Sequence, residues 1–128
     1  MIKKLLSIIV LSLFLSSSAN AEWTKVSRTT AKDVYYVDFE NIKVEGNLIY
    51  YWELMKYGAP TKDGTLSHKI YQVIDCSNFS SKPLRFIFYT DWNATSDPDS
   101  QKSLINEWTK YPADSVAMDS AKILCKNI

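Results

Sequence analysis

The sequence predicts an α+β domain: an antiparallel sheet of five or six strands, a C-terminal helix packed on one face, and one disulfide between them. Three observations carry this expectation. Short β-branched and aromatic segments follow one another with turn residues between them, and no strand–helix–strand alternation calls for a parallel sheet. A single amphipathic stripe stands near the end of the chain. The chain holds 2 cysteines, and the second lies on that stripe.

The first residues read as an address and not as part of the domain. Lys3 and Lys4 precede an apolar run from Leu5 to Leu15, and small residues lead to Ala19-Asn20-Ala21. Signal peptidase accepts Ala at both flanking positions, so residues 1–21 read as a signal peptide and residues 22–128 as a single exported domain. A spanning helix needs roughly 20 apolar residues, more than this run supplies. No Cys near the cleavage site could take a lipid, so no membrane insertion is expected after cleavage. Loss of Lys3 and Lys4 moves the formal charge from +1 to about −1. A near-neutral chain has no broad field to gather nucleic acid or anionic membrane.

Each strand has its own signal. Glu22 to Ser27 is a short first strand, and Asp33 to Asp38 a Val- and Tyr-rich second, with a turn at Phe39 to Asn41. Ile42 to Glu45 and Leu48 to Tyr57 flank Gly46-Asn47, a two-residue hairpin signal. The longer of these is apolar on both faces, as a central strand would be. After a loop from Gly58 to Gly64, strands run from Ser67 to Cys76 and Lys82 to Trp92, joined by Ser77 to Ser81. The period of two aligns Ile70, Ile74 and Cys76 in one strand, and Leu84, Phe86 and Phe88 in the other, as the expected core face. Tyr35, Tyr51, Tyr71 and Tyr89 are expected on the opposite face. Asn93 to Ser103 reads as loop, and Leu104 to Tyr111 as irregular or a short helix.

A helix is expected from Ser115 to Lys126, with Asp114 as its N-cap. Ala117, Ala121, Leu124 and Cys125 recur at helical spacing. In an exported domain, a lone cysteine pair reads as a structural bridge. A Cys76–Cys125 bond would clamp the helix to the sheet.

Little in the chain points to catalysis or a cofactor. His68 is the only histidine, set between Ser67 and Lys69 at a polar strand start, and reads as a surface residue. A structural metal site asks for several Cys, His or carboxylate ligands, so no metal or cofactor is expected; haem ligation through His68 is a third, minor reading. No GxSxG elbow occurs, and Asp97 and Asp99 flank Pro98 as a solvated turn. The protein is expected not to be an enzyme. Asn78-Phe79-Ser80 and Asn93-Ala94-Thr95 match a glycosylation sequon, but the compact leader reads as bacterial and the matches as chance.

Tyr35-Tyr36-Val37-Asp38, Ile49-Tyr50-Tyr51-Trp52, Tyr71-Gln72-Val73-Ile74-Asp75-Cys76 and the closing helix ending at Cys125 resemble the surface-adhesin protein E family of small exported bacterial domains. The resemblance covers nearly all of the mature chain. It implies the same sheet, helix and disulfide, and binding of host matrix or serum proteins through a basic segment around the first cysteine. That segment corresponds to about Ala59 to Arg85, where Lys69 matches a basic position and Tyr71 and Cys76 match structural ones. Asp63 and Asp75 here are departures from its basic character. Lys62, Lys69, Lys82 and Arg85 are the candidate binding residues, and a periplasmic accessory or inhibitor protein with a bacterial partner is the alternative function.

Overall fold

A computed structural model describes residues 21–126, so the expected signal peptide falls almost wholly outside the described residues. The elements are β1 (Thr24–Arg28), β2 (Val34–Val37), β3 (Lys43–Glu45), β4 (Leu48–Lys56), β5 (Ser67–Asp75), β6 (Ser80–Tyr89), β7 (Asp99–Lys102), β8 (Thr109–Lys110) and the helix α1 (Val116–Cys125). The strands pair antiparallel in the order β1-β2-β4-β5-β6-β7, with β3 also on β4 and β8 also on β6. β2 and β3 divide one edge of β4, and β7 and β8 divide the outer edge of β6. The central pair is β4–β5, in register over its whole length from Leu48↔Asp75 to Lys56↔Ser67.

Local chemistry explains the turns. Gly46 takes φ 59°, which a side chain would strain, and lets β3 reverse into β4 over two residues. Asp38 is buried, yet its carboxylate accepts from the backbone N–H groups of Glu40 and Asn41 and from the Asn41 side chain, which shapes the turn expected there. At Gly58 a Cβ would lie 2.1 Å from the Ala31 carbonyl, and the Gly58 N–H donates to Asp33 Oδ1 at 2.8 Å. Only glycine lets the β4–β5 loop close so tightly on the β1–β2 turn.

Directly paired residues of an antiparallel ladder project to the same side, so the register sorts every strand residue onto one of two faces. One face carries Val37, Ile49, Tyr51 and Ile74, which are buried with Ala121 and Leu124 of α1 to form the core. Phe86 and Phe88 share this side but lie at its far end, half-buried and stacked on each other with centroids 6.0 Å apart. Leu84 sits in a β-bulge of β6, opposite the step from Tyr71 to Gln72. The expected core face is therefore real at Ile74, but its centre of mass lies on β2 and β4, where the helix presses.

The helix corrects its own expected cap. Ser115 is the N-cap: its Oγ accepts the Met118 N–H at 3.1 Å, while Asp114 turns to φ 60° just outside. Within α1, Ser120, Ala121 and Leu124 are buried and Ala117 is exposed, so the inward stripe begins one turn later than the apolar spacing suggests. Asp99 to Lys102 and Thr109 to Lys110, expected as loop and as irregular or helix, are instead short edge strands. Their residues are exposed and carry no apolar period, so only pairing with β6 makes them strands.

Cys76 and Cys125 form the disulfide, with Cα atoms 5.8 Å apart and a sequence separation of 49. The bond ties the end of the helix to the residue following β5. Loop-closure entropy for such a span is worth roughly 4 kcal/mol. A Cys76→Ser/Cys125→Ser variant is expected to lose about 2–4 kcal/mol in guanidinium unfolding. An unchanged midpoint would show that core packing alone holds the helix.

Candidate functional site

Every lysine and arginine carried by a strand projects to the face away from the helix. Lys25 and Arg28 pair with Tyr36 and Val34, which in turn oppose Leu54 and Lys56. Lys43 opposes Tyr50, and Lys69 opposes Leu54. Lys82 and Arg85 oppose Val73 and Tyr71; Lys102 and Lys110 continue the row from β7 and β8. Two strand acids share this face. Glu45 forms an ion pair with Lys43 at 3.0 Å, and Asp75 accepts from the backbone and hydroxyl of Ser77.

Aromatic rings stand among these cations. Trp52 and Tyr71 are directly paired across β4 and β5, their centroids 4.8 Å apart, and Tyr50 stacks on Tyr71 at 6.2 Å. Lys56 lies over the rings of Tyr36 and Trp92 at 5.0 and 4.3 Å. Lys69 lies over Trp23 and Tyr89 at 5.8 and 5.3 Å, and Lys82 over Trp108 at 5.2 Å. Each such contact contributes about 0.5–1 kcal/mol at an exposed site. Leu54, Val73 and Tyr89 are buried on this face although no helix covers it, and long lysine stems suit the covering of such apolar surface.

Of the candidate binding residues, Lys69, Lys82 and Arg85 share this face. Lys62 lies in the β4–β5 loop, whose Thr61, Asp63 and Thr65 border Phe88, Asp99 and Gln101 on the helix side. The four expected tyrosines divide: Tyr71 and Tyr89 are on the open face, Tyr35 and Tyr51 on the helix side. Tyr50, Trp52, Lys43 and Lys56 went unmarked as site residues. The signal available was alternation in β4, where even-numbered positions hold Tyr50, Trp52 and Lys56.

The helix side holds two groups of a different kind. Glu53 accepts from the Tyr51 hydroxyl and from Gln72 Nε2, both at 2.7 Å, and Tyr51 lies 3.3 Å from the Tyr111 hydroxyl. Burial raises the Glu53 carboxyl above its usual range, and raises the Tyr51 phenol well above its own. Glu53 lines a cavity of about 200 Å³ together with Val26, Tyr35, Val116 and Ser120. His68 is not the surface residue expected. Its ring meets Tyr57 and Phe88 edge-on, its Nδ1 is hydrogen-bonded to the Tyr57 hydroxyl, and burial pushes its pKa from 6.5 down to about 4. Ser67 and Lys69 face the other way, where Ser67 is itself buried and its hydroxyl donates to the Asp91 carbonyl at 2.7 Å. Among the described residues, no group of three or more His, Cys, Asp or Glu could hold a metal ion.

The family described as Surface-adhesin protein E matches residues 23–126. The chain belongs to that family. A crystal form of Haemophilus influenzae protein E shares its fold at a TM-score of 0.65 and 17% identity, over 87% of this chain and 92% of that one. The structure of protein E from non-typeable Haemophilus influenzae matches at 0.63 and 17%, over 87% and 80%. A selenomethionine form of protein E matches at 0.64 and 16%, over 87% and 91%. No curated relative matches the chain by sequence. At such identity the protein E structures attest the sheet, the helix and their arrangement, while the surface chemistry has to be read from this chain.

Glu53 and His68 impose opposite pH dependences. The unfolded chain protonates His68 near pH 6.5 and the folded chain only near pH 4, so the His68 contribution is complete above 6.5 and lost as pH falls toward 4. For Glu53 the raised pKa makes the contribution complete below its ordinary value of 4.5 and lost as pH rises through the folded value. Comparing wild type with His68→Gln by guanidinium unfolding isolates the imidazole. Wild type is expected to lose roughly 1–3 kcal/mol more than the variant between neutral pH and pH 4. Parallel curves would place the imidazole in solvent.

Proposed function

We propose that this is an exported, non-enzymatic binding protein of adhesin type, working at the cell surface and engaging a host matrix or serum protein through the open face of its sheet. Family membership supports the adhesin class and the surface location. The observation that carries the reading is the segregation of the strand cations, with Trp52 and Tyr71 at their centre, onto the face the helix leaves uncovered. Trp, Tyr and Arg are enriched where proteins bind partners, and the surrounding lysines give the face a sign that an acidic partner surface can complement. Among the described residues no helix is long and apolar enough to cross a membrane.

Lys69, Lys82 and Arg85 contact the partner in this reading, with Lys43 and Lys56 beside them. Lys62, on the loop bordering the other side, serves as the internal control. In a solid-phase assay on vitronectin, laminin and plasminogen, saturable binding is expected for at least one protein. Lys82→Glu with Arg85→Glu is expected to weaken it about tenfold or more, a change of about 1.4 kcal/mol. Lys62→Glu should leave it unchanged. No saturable signal, or equal loss from Lys62→Glu, would count against this assignment.

A further inference from the structure

We propose that the open face recognises a sulfated polysaccharide, the sugar rings lying on Trp52 and Tyr71 and the sulfates pairing with Lys43, Lys56, Lys69 and Arg85. This names the chemistry that the adhesive face would meet on matrix material, and so rests on the reading that the face is a binding surface.

Charge is the first argument. The chain as a whole is close to neutral, with 15 Lys and Arg against 14 Asp and Glu. The sheet nevertheless directs all its strand lysines and arginines to one side, against Glu45 and Asp75 alone among strand acids. Those two acids are occupied by Lys43 and Ser77. A predominantly basic patch on a near-neutral molecule attracts a polyanion locally without making the protein bind anions everywhere.

The second argument separates a glycan from an acidic polypeptide. β4 and β5 are hydrogen-bonded along both of their edges. Their open face therefore offers a peptide no free backbone donors or acceptors. An extended polypeptide laid across it would press its own N–H and C=O groups against rings and lysine stems, at the cost of leaving them unpaired, a cost that a folded partner with its backbone already paired does not meet. A pyranose ring has the opposite geometry: C–H groups on its faces, polar groups around its rim. Its face can stack on the half-exposed end of the row Tyr50–Tyr71–Trp52, whose neighbouring rings pack against each other with centroids 6.2 and 4.8 Å apart. Anionic substituents on the rim then reach the surrounding ammonium and guanidinium groups. The lysines already stand over rings at 4.3 to 5.8 Å, so ring and charge are presented together.

The test uses the chain from residue 22 onward and a heparin-derived oligosaccharide, with fully desulfated heparin, polyglutamate and single-stranded DNA of matched length as comparators. Calorimetry is expected to show binding to the sulfated oligosaccharide that weakens as salt rises. Desulfated heparin, polyglutamate and DNA should each bind about tenfold more weakly or worse. Lys43→Ser with Arg85→Ser should weaken the sulfated ligand about tenfold and reduce the salt dependence. Trp52→Leu should weaken it while leaving the salt dependence intact; its circular dichroism and unfolding midpoint verify that it folds. If Trp52→Leu does not fold, Tyr71→Leu makes the same comparison. Polyglutamate or DNA binding as tightly as the oligosaccharide would overturn the proposal in favour of simple charge attraction. Binding to a matrix protein without binding to heparin would overturn it while leaving the adhesive reading standing. Failure of both would remove the two together.

Discussion

A helix of 10 residues cannot cover this sheet. At 1.5 Å per residue it is about 15 Å long, while six strands side by side span roughly 24 Å. The disulfide decides where that limited cover goes. By joining Cys125 to Cys76 it holds the end of α1 beside the end of β5, and Leu124 closes over Ile49, Tyr51 and Ile74. One face thus acquires a core, and the other must meet water with whatever the alternate strand positions supply.

Those positions supply a layer made of amphipathic side chains. Lys56 and Lys69 lay their stems across the sheet and their ammonium groups over Tyr36, Trp92, Trp23 and Tyr89. Leu54 and Val73, on the same face, are almost completely buried. The arrangement keeps the charges at the surface, where water and a partner can reach them. Folding and recognition draw here on the same residues: the side chains that protect the open face are those that give it a sign. An uncovered sheet of plain apolar residues would invite aggregation, and the cations guard against that.

The helix side has the reverse character. Polar groups there are enclosed and answered from within, as Glu53 is by Tyr51 and Gln72, and His68 by Tyr57. Among the described residues no buried side-chain nitrogen or oxygen lacks a partner. Tyr35, Tyr51 and Tyr57 are spent on this work, so counting tyrosines in the sequence overstates the recognition surface.

Periodicity in β4 and β5, the Gly46-Asn47 turn and the apolar stripe ending at Cys125 were enough to determine an antiparallel sheet, its closing helix and the pair of sulfurs joining them. These are local or near-covalent signals: alternation sets side-chain direction within a strand, and two cysteines allow one intramolecular pairing. The sides themselves were not legible. Whether Tyr51 or Tyr71 meets the helix depends on which face α1 covers, and that choice is made by packing between residues far apart in sequence. The exposed, polar residues of β7 and β8 become strands only because β6 offers them an edge. His68 looked solvated because its neighbours in the chain are polar, although its neighbours in space are Tyr57 and Phe88. Composition likewise showed a balanced chain. Only the tertiary register, by sending alternate residues to opposite faces, turned that balance into one basic aromatic surface and one sealed core.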